Sequence, residues 1–198
     1  MTKWGALIVL LPFLAGGNAA LARDRAASVE AFRQIYRVTQ HPRCLNCHPA
    51  GDAPLQGDDS HRHALGVKRG SDGEGLPEKR CVNCHQSANQ AGMHRPPGAP
   101  HPARANQPAG TPRWHLPKPQ SPLVFQGRTP AQLCRQLLNR ATNGGLAPAA
   151  LIGHVEGDPF VRWAWQPGEG RTTPPGRHQD LVDAVQSWVA DGAACPVE

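Results

Sequence analysis

Apolar positions recur at helical spacing in several separate stretches of this chain. Val29, Phe32, Ile35 and Tyr36 predict a helix over 28–39, with Ser28 as its N-cap and Pro42 as its stop. The clearest start signal is Thr129-Pro130-Ala131-Gln132. A threonine cap, a proline at the first helical position and a glutamine three residues after the cap complete a capping box. Leu133, Leu137 and Leu138 give that helix a buried stripe, and Asn143-Gly144-Gly145 should end it. A short helix is expected over 149–155. A last one is expected over 179–191, with Leu181, Val185, Trp188 and Val189 inward and Gly192 at its end. The rest reads as coil. Residues 49–79 are polar and punctuated by glycine. Residues 92–122 carry nine prolines and should form an extended strap, and residues 163–175 read as an aromatic, Gly/Pro-rich loop. The fold class expected is mainly α with extensive coil.

Composition sharpens this picture. The 198 residues include 21 Pro and 21 Gly, with aromatics at 5%. That is thin material for a hydrocarbon core, so a bulky apolar cofactor would help the chain to fold.

Such a cofactor has a signature here. Cys44-Leu45-Asn46-Cys47-His48 and Cys81-Val82-Asn83-Cys84-His85 are two copies of C-x-x-C-H, the attachment pattern of c-type haem. Two thiols three positions apart can each add to one vinyl group of a porphyrin. The following histidine then reaches the iron as proximal ligand. Cys44, Cys47, Cys81 and Cys84 are therefore expected to hold two covalent haems, with His48 and His85 on their irons. A zinc site made from the four cysteines, or thiol–disulfide exchange, would also use C-x-x-C. Neither explains a histidine directly after each pair. The motifs repeat with a period of 37 residues, too short for two independent haem domains, so one domain should hold both groups close together.

The N-terminus has the form of an export leader. Lys3 precedes an apolar run over 4–14, and Ala20-Leu21-Ala22 is a small-residue cleavage pattern. An uncleaved anchor is the alternative, although the run is short for a membrane span. The expected organisation is a leader over 1–22 and one domain over 23–198, with a haem-binding part over 28–128 and a helical C-terminal part over 129–198. Haem c and an export leader together point to the periplasm, with no membrane span in the mature chain. Cys134 and Cys195 remain after the motifs and should pair in an oxidising compartment. The formal charge is +6. The positive residues are scattered, which with the exported address argues against nucleic acid and suits an acidic redox partner.

The distal ligands decide the chemistry, because an electron carrier fills both axial positions and a catalyst or sensor leaves one open. Apart from the initiator, Met93 is the only methionine, so at most one iron can be His/Met. His63 is the first candidate, lying between the motifs in a flexible loop with His61 as its competitor. His115, in the short rigid run Trp114-His115-Leu116-Pro117, is the second, and His94 is the runner-up. His41 lies too near Cys44 to reach the opposite face easily, while His154 and His178 belong to the C-terminal part.

Several stretches together resemble a family of short exported proteins often labelled isoquinoline 1-oxidoreductase subunit. They are His41-Pro42-Arg43-Cys44, Gly51-Asp52-Ala53-Pro54-Leu55-Gln56-Gly57-Asp58-Asp59, Pro96-Pro97-Gly98-Ala99-Pro100, Trp114-His115-Leu116-Pro117, and Trp163-Ala164-Trp165 with Pro167-Gly168. The chain has extra residues around 102–111, between the proline run and Trp114. Enzymes carrying that label are molybdenum hydroxylases with an iron–sulfur subunit. This chain lacks the C-x₄-C-x₂-C spacing of a plant-type cluster and is too small for molybdenum chemistry. The resemblance therefore implies a dihaem c-type cytochrome that accepts electrons from such a hydroxylase, and not an enzyme itself. A small haem peroxidase or a haem-based sensor with one open iron is the rival expectation.

Overall fold

The computed structural model describes residues 15–103, 106–111 and 113–198, with side chains from residue 24 onward. The leader's apolar run and part of the proline strap lie outside the described residues. Helix is the main regular structure, set in extensive coil. In chain order the helices are α1 (Ala15–Thr39), α2 (Pro42–Leu45), α3 (Pro130–Leu138), α4 (Pro148–Gly157), α5 (Pro159–Trp163) and α6 (His178–Ala190). Two very short antiparallel hairpins punctuate the loop expected over 49–79. One pairs β1 (Leu55–Gln56) with β2 (His61–Arg62), and the other pairs β3 (Gly75–Leu76) with β4 (Lys79–Arg80). No helix among the described residues is long and apolar enough to cross a membrane.

The core lies where α1, α3, α4 and α6 meet. Phe32, Ile35 and Val38 of α1 bury against Leu133 and Leu137 of α3, Leu151 of α4, and Leu181, Val185 and Trp188 of α6. Phe32 and Trp188 are fully enclosed, with ring centres 5.3 Å apart. The Cys134–Cys195 disulfide is formed, with Cα atoms 5.5 Å apart, and pins the C-terminal tail to α3.

Two boundaries differ from the sequence reading. The first helix begins at Ala15, not at Ser28. Ser28 caps nothing. Its buried Oγ donates to the Trp188 carbonyl and accepts from the Ala194 N–H, both at 2.9 Å. A long-range use of the hydroxyl thus replaces the local one. The capping box of Thr129 and Gln132 forms as expected, but α3 ends at Leu138, and Asn143 caps the following turn through the Leu137 and Leu146 carbonyls. Within the stretch read as coil before α6, Asp158 caps the short helix α5, its carboxylate accepting from the Phe160 N–H at 2.8 Å.

Replacing Ser28 by alanine should lower stability by about 1–3 kcal/mol, because the Ala194 N–H loses its acceptor and the Trp188 carbonyl keeps only its bond from the Ala193 N–H. Denaturant unfolding of the two proteins side by side checks this.

Candidate functional site

Both C-x-x-C-H motifs adopt the same one-turn fold. In the first, the His48 N–H donates to the Cys44 carbonyl at 3.1 Å and the Cys47 N–H to the same oxygen at 3.2 Å. In the second, the His85 N–H donates to the Cys81 carbonyl at 2.9 Å and the Cys84 N–H at 3.2 Å. Pro42 at the first position of α2 and the His41 cap set up the first turn. The second follows directly on the β3–β4 hairpin, as a 3₁₀ turn over Cys81–Asn83.

Each motif histidine is held by a backbone carbonyl from a distant loop. His48 Nδ1 lies 2.8 Å from the Leu123 oxygen, and His85 Nδ1 lies 2.9 Å from the Pro97 oxygen. A carbonyl can only accept, so Nδ1 carries the proton in both rings and Nε2 keeps its lone pair. This is how a protein prepares an imidazole to bind a metal. Burial reinforces it, pushing the pKa of each ring down to about 4 and keeping both neutral. The rings are also clamped flat. His48 stacks on Phe125 at 3.9 Å, and His85 stacks on Trp114 at 4.5 Å.

A cavity of about 760 Å³ runs between the two motifs. Cys47, Cys81, Cys84 and His85 line it, together with His63, His94 and His115. His63 faces His85 with ring centres 6.2 Å apart. At that separation the two imidazoles could hold one metal atom between them. His63 Nδ1 lies 2.9 Å from the Ala64 oxygen, so its Nε2 is the free nitrogen as well. His115 reaches the same cavity, but its ring neighbours are His101 and Phe160, not a motif histidine. His94 sits at φ +55° with its ring against Gly170. His61 also lines the cavity, with Nδ1 2.6 Å from the Asp59 carboxylate. Met93 is 65% exposed.

The first motif is turned further into the protein. Cys44 packs against the helical core, and neither it nor His48 lines the cavity. The four motif thiols are unpaired. Burial pushes Cys44 up to about 12, and Cys47 and Cys81 up to about 11. Thiol exchange needs a stabilised thiolate, which burial disfavours at Cys44, Cys47 and Cys81. No group of three or more His, Cys, Asp or Glu side chains is placed to share a metal ion among the described residues. The second motif sets two thiols and an anchored imidazole on this cavity. The first supplies paired thiols and an anchored imidazole, with Cys47 facing the shared space.

The strap read from 92–122 does close over this space, at Pro96, Pro97, Trp114, His115 and Leu116. Two glycines let it approach. A Cβ on Gly73 would collide with the Leu116 oxygen, and the Leu116 N–H donates to the Gly73 carbonyl at 2.8 Å. A Cβ on Gly98 would lie 2.2 Å from the Ala88 oxygen and 2.4 Å from that of Gln86. Gly98→Ala should therefore push Pro97 away from His85 and lower stability by about 1–3 kcal/mol. The slowly exchanging His85 Nδ1–H resonance should disappear with it. Gly51→Ala, whose added carbon meets nothing within 4 Å, is the control.

The anchoring carbonyls of Leu123 and Pro97, and the clamp by Phe125, escape sequence reading. A backbone oxygen leaves no residue signal, and Phe125 lies in a segment with no periodicity. Comparison of the chain with protein-family models, with curated proteins and with solved structures finds no match, so its functional reading rests on the geometry above.

Proposed function

We propose that this chain is an exported, periplasmic dihaem c-type cytochrome that carries single electrons. Cys44 and Cys47 hold one haem by thioethers and Cys81 and Cys84 the other, with His48 and His85 as proximal ligands and His63 distal to His85. The observation that carries the reading is the anchoring of both motif histidines through Nδ1, which leaves Nε2 free beside paired thiols in each copy. The disulfide supports an oxidising compartment. Haem bound here supplies a one-electron ferric/ferrous couple.

The chain's own residues set the conditions for that couple. Pro97 and Leu123 orient the imidazoles and raise their basicity through the Nδ1 bond. Trp114 and Phe125 fix the ring planes and exclude water from them. Cys47 and Cys81 line one cavity, which would set the two groups near each other. No substrate is transformed. The donor is a redox protein, and the family resemblance favours a molybdenum hydroxylase.

A second reading, a small peroxidase or sensor, rests on a different observation. The ring neighbour of His48 is Phe125, not a second imidazole, and the His61–Asp59 pair on the cavity wall has the make-up of an acid–base dyad. Expression with haem-c maturation machinery, followed by mass spectrometry and by optical and EPR spectra with and without carbon monoxide, separates the readings. Two covalent haems, both low-spin and indifferent to carbon monoxide, support the electron carrier. A high-spin ferric signal with carbon monoxide binding on reduction supports the second reading. A chain without covalent haem overturns both.

A further inference from the structure

Arg43 precedes the first motif in sequence, yet its side chain lies on the wall of the cavity that holds Cys81, Cys84 and His85. The residue is only 5% exposed. One edge of its guanidinium is used, donating to the Gly57 carbonyl at 2.9 Å and pairing with Asp58. The Nε at the other edge is buried and has no hydrogen-bond partner. A buried N–H without an acceptor is rare, and the residue that carries this one lines the cavity.

Arg171 lines the same cavity. It donates to the carbonyls of Pro167 at 3.2 Å and Arg95 at 2.5 Å, and no carboxylate pairs with it among the described residues. Asp58 organises both arginines. One of its oxygens pairs with Arg43, and the other accepts from the Thr172 N–H at 3.0 Å, next to Arg171 in the chain. One carboxylate thus stands among two guanidiniums and His41, whose Nε2 contacts the Thr172 hydroxyl at 3.3 Å. Lys68, Lys79 and Arg80 also line the cavity, but Lys68 pairs with Asp52 and Arg80 with Asp72 and Glu74. Arg171 is the guanidinium on this wall that no carboxylate pairs among the described residues.

We propose that Arg43 and Arg171 form a carboxylate-binding subsite in this cavity. Resting on the function proposed above, its ligand is a propionate of the haem attached at Cys81 and Cys84. Guanidinium is suited to this role, because it stays charged and presents N–H groups in the plane of a carboxylate. The residue before one attachment motif then grips the group attached at the other. Asp58 acts as a positioning residue for both arginines.

The test is a spectroelectrochemical titration of the holoprotein and of Arg171→Gln and Arg43→Lys. Loss of a positive charge beside a propionate favours the ferric state. Arg171→Gln should shift the ferric-to-ferrous ratio of one haem roughly tenfold at fixed potential, about 59 mV lower in midpoint. The other haem should move much less, and the propionate bending band in resonance Raman spectra should shift. Arg43→Lys keeps the charge and the Asp58 pair but removes Nε–H. It should move the Raman band with little change in potential. Unchanged potentials and bands in both variants, with two haems still attached, overturn the subsite and leave the cytochrome reading intact. If the wild-type chain carries no haem, that reading falls and succinate becomes the probe. Calorimetric binding that Arg171→Gln abolishes supports a carboxylate subsite for a free acid, and no binding overturns it.

Discussion

Replacing His63 by alanine is expected to open one iron of two. The wild-type holoprotein should show the His63–His85 haem as low-spin, because two imidazoles give a strong ligand field and leave no free position. His63 is well placed to complete that pair. Its ring centre is 6.2 Å from that of His85, and its N–H donates to the Pro54 carbonyl at 3.0 Å, which fixes the backbone just after β2. Alanine leaves the thioethers and His85 untouched, so the haem stays attached. What changes is the sixth ligand. A high-spin ferric signal should appear in the EPR spectrum, and carbon monoxide binding on reduction should rise by one per chain. His94→Ala and His115→Ala should leave this iron low-spin, since the first ring lies on Gly170 and the second beside His101 and Phe160. A chain in which His115→Ala opens the His85 iron, and His63→Ala does not, would sink the pairing.

The second large effect is on stability. Converting Cys134 and Cys195 together to serine should destabilise the fold by about 4 kcal/mol, the loop-closure entropy released when a cross-link spanning 61 residues is removed. For a chain of this size that corresponds to a fall in Tm of roughly 10 °C. Cys134 is fully buried, so a serine hydroxyl there adds to the loss. The tail has other tethers. The Trp188 Nε1–H donates to the Ala194 carbonyl at 3.1 Å, and Arg135 pairs with Glu198 at 2.6 Å. The variant should therefore still fold and still carry two haems. Thermal unfolding of the variant, and of the wild type with and without reductant, measures the effect. A Tm that reductant does not move would show that the bond contributes nothing.

What could be read from the sequence is what depends on neighbouring residues. The Thr129 cap, the Pro130 start and the Gln132 return bond are all made within one turn, so the start of α3 was legible. The motif turns were legible for the same reason. Of the four residues read as the inward face of α6, Leu181, Val185 and Trp188 are buried and Val189 partly so, while the buried Val182 and Ala184 were not read. Ser28 misled because serine caps helices well locally, whereas here its partners lie 160 and 166 residues away. The cap of α5 was a missed local signal, since Asp158-Pro159 is a readable start. At the site, His63 was legible as a candidate because it lies between the motifs near glycines. The ring environment of His115 was not, because His101 and Phe160 come from distant segments that carry no shared pattern. Nothing in the sequence marked Arg43 as buried, because its partners Gly57 and Asp58 come from the next loop.

The bonds of Ser28 to Trp188 and Ala194 also govern the order of events as the chain is made. The first helix packs on α3 and most extensively on α6, so its burial is completed only once α6 has been made. Contacts this distant in sequence form slowly. On the function proposed above, that interval would leave the thiols at 44, 47, 81 and 84 open to an attachment enzyme. A circularly permuted chain that joins the two ends, letting α1 and α6 pair early, should fold faster and mature less completely.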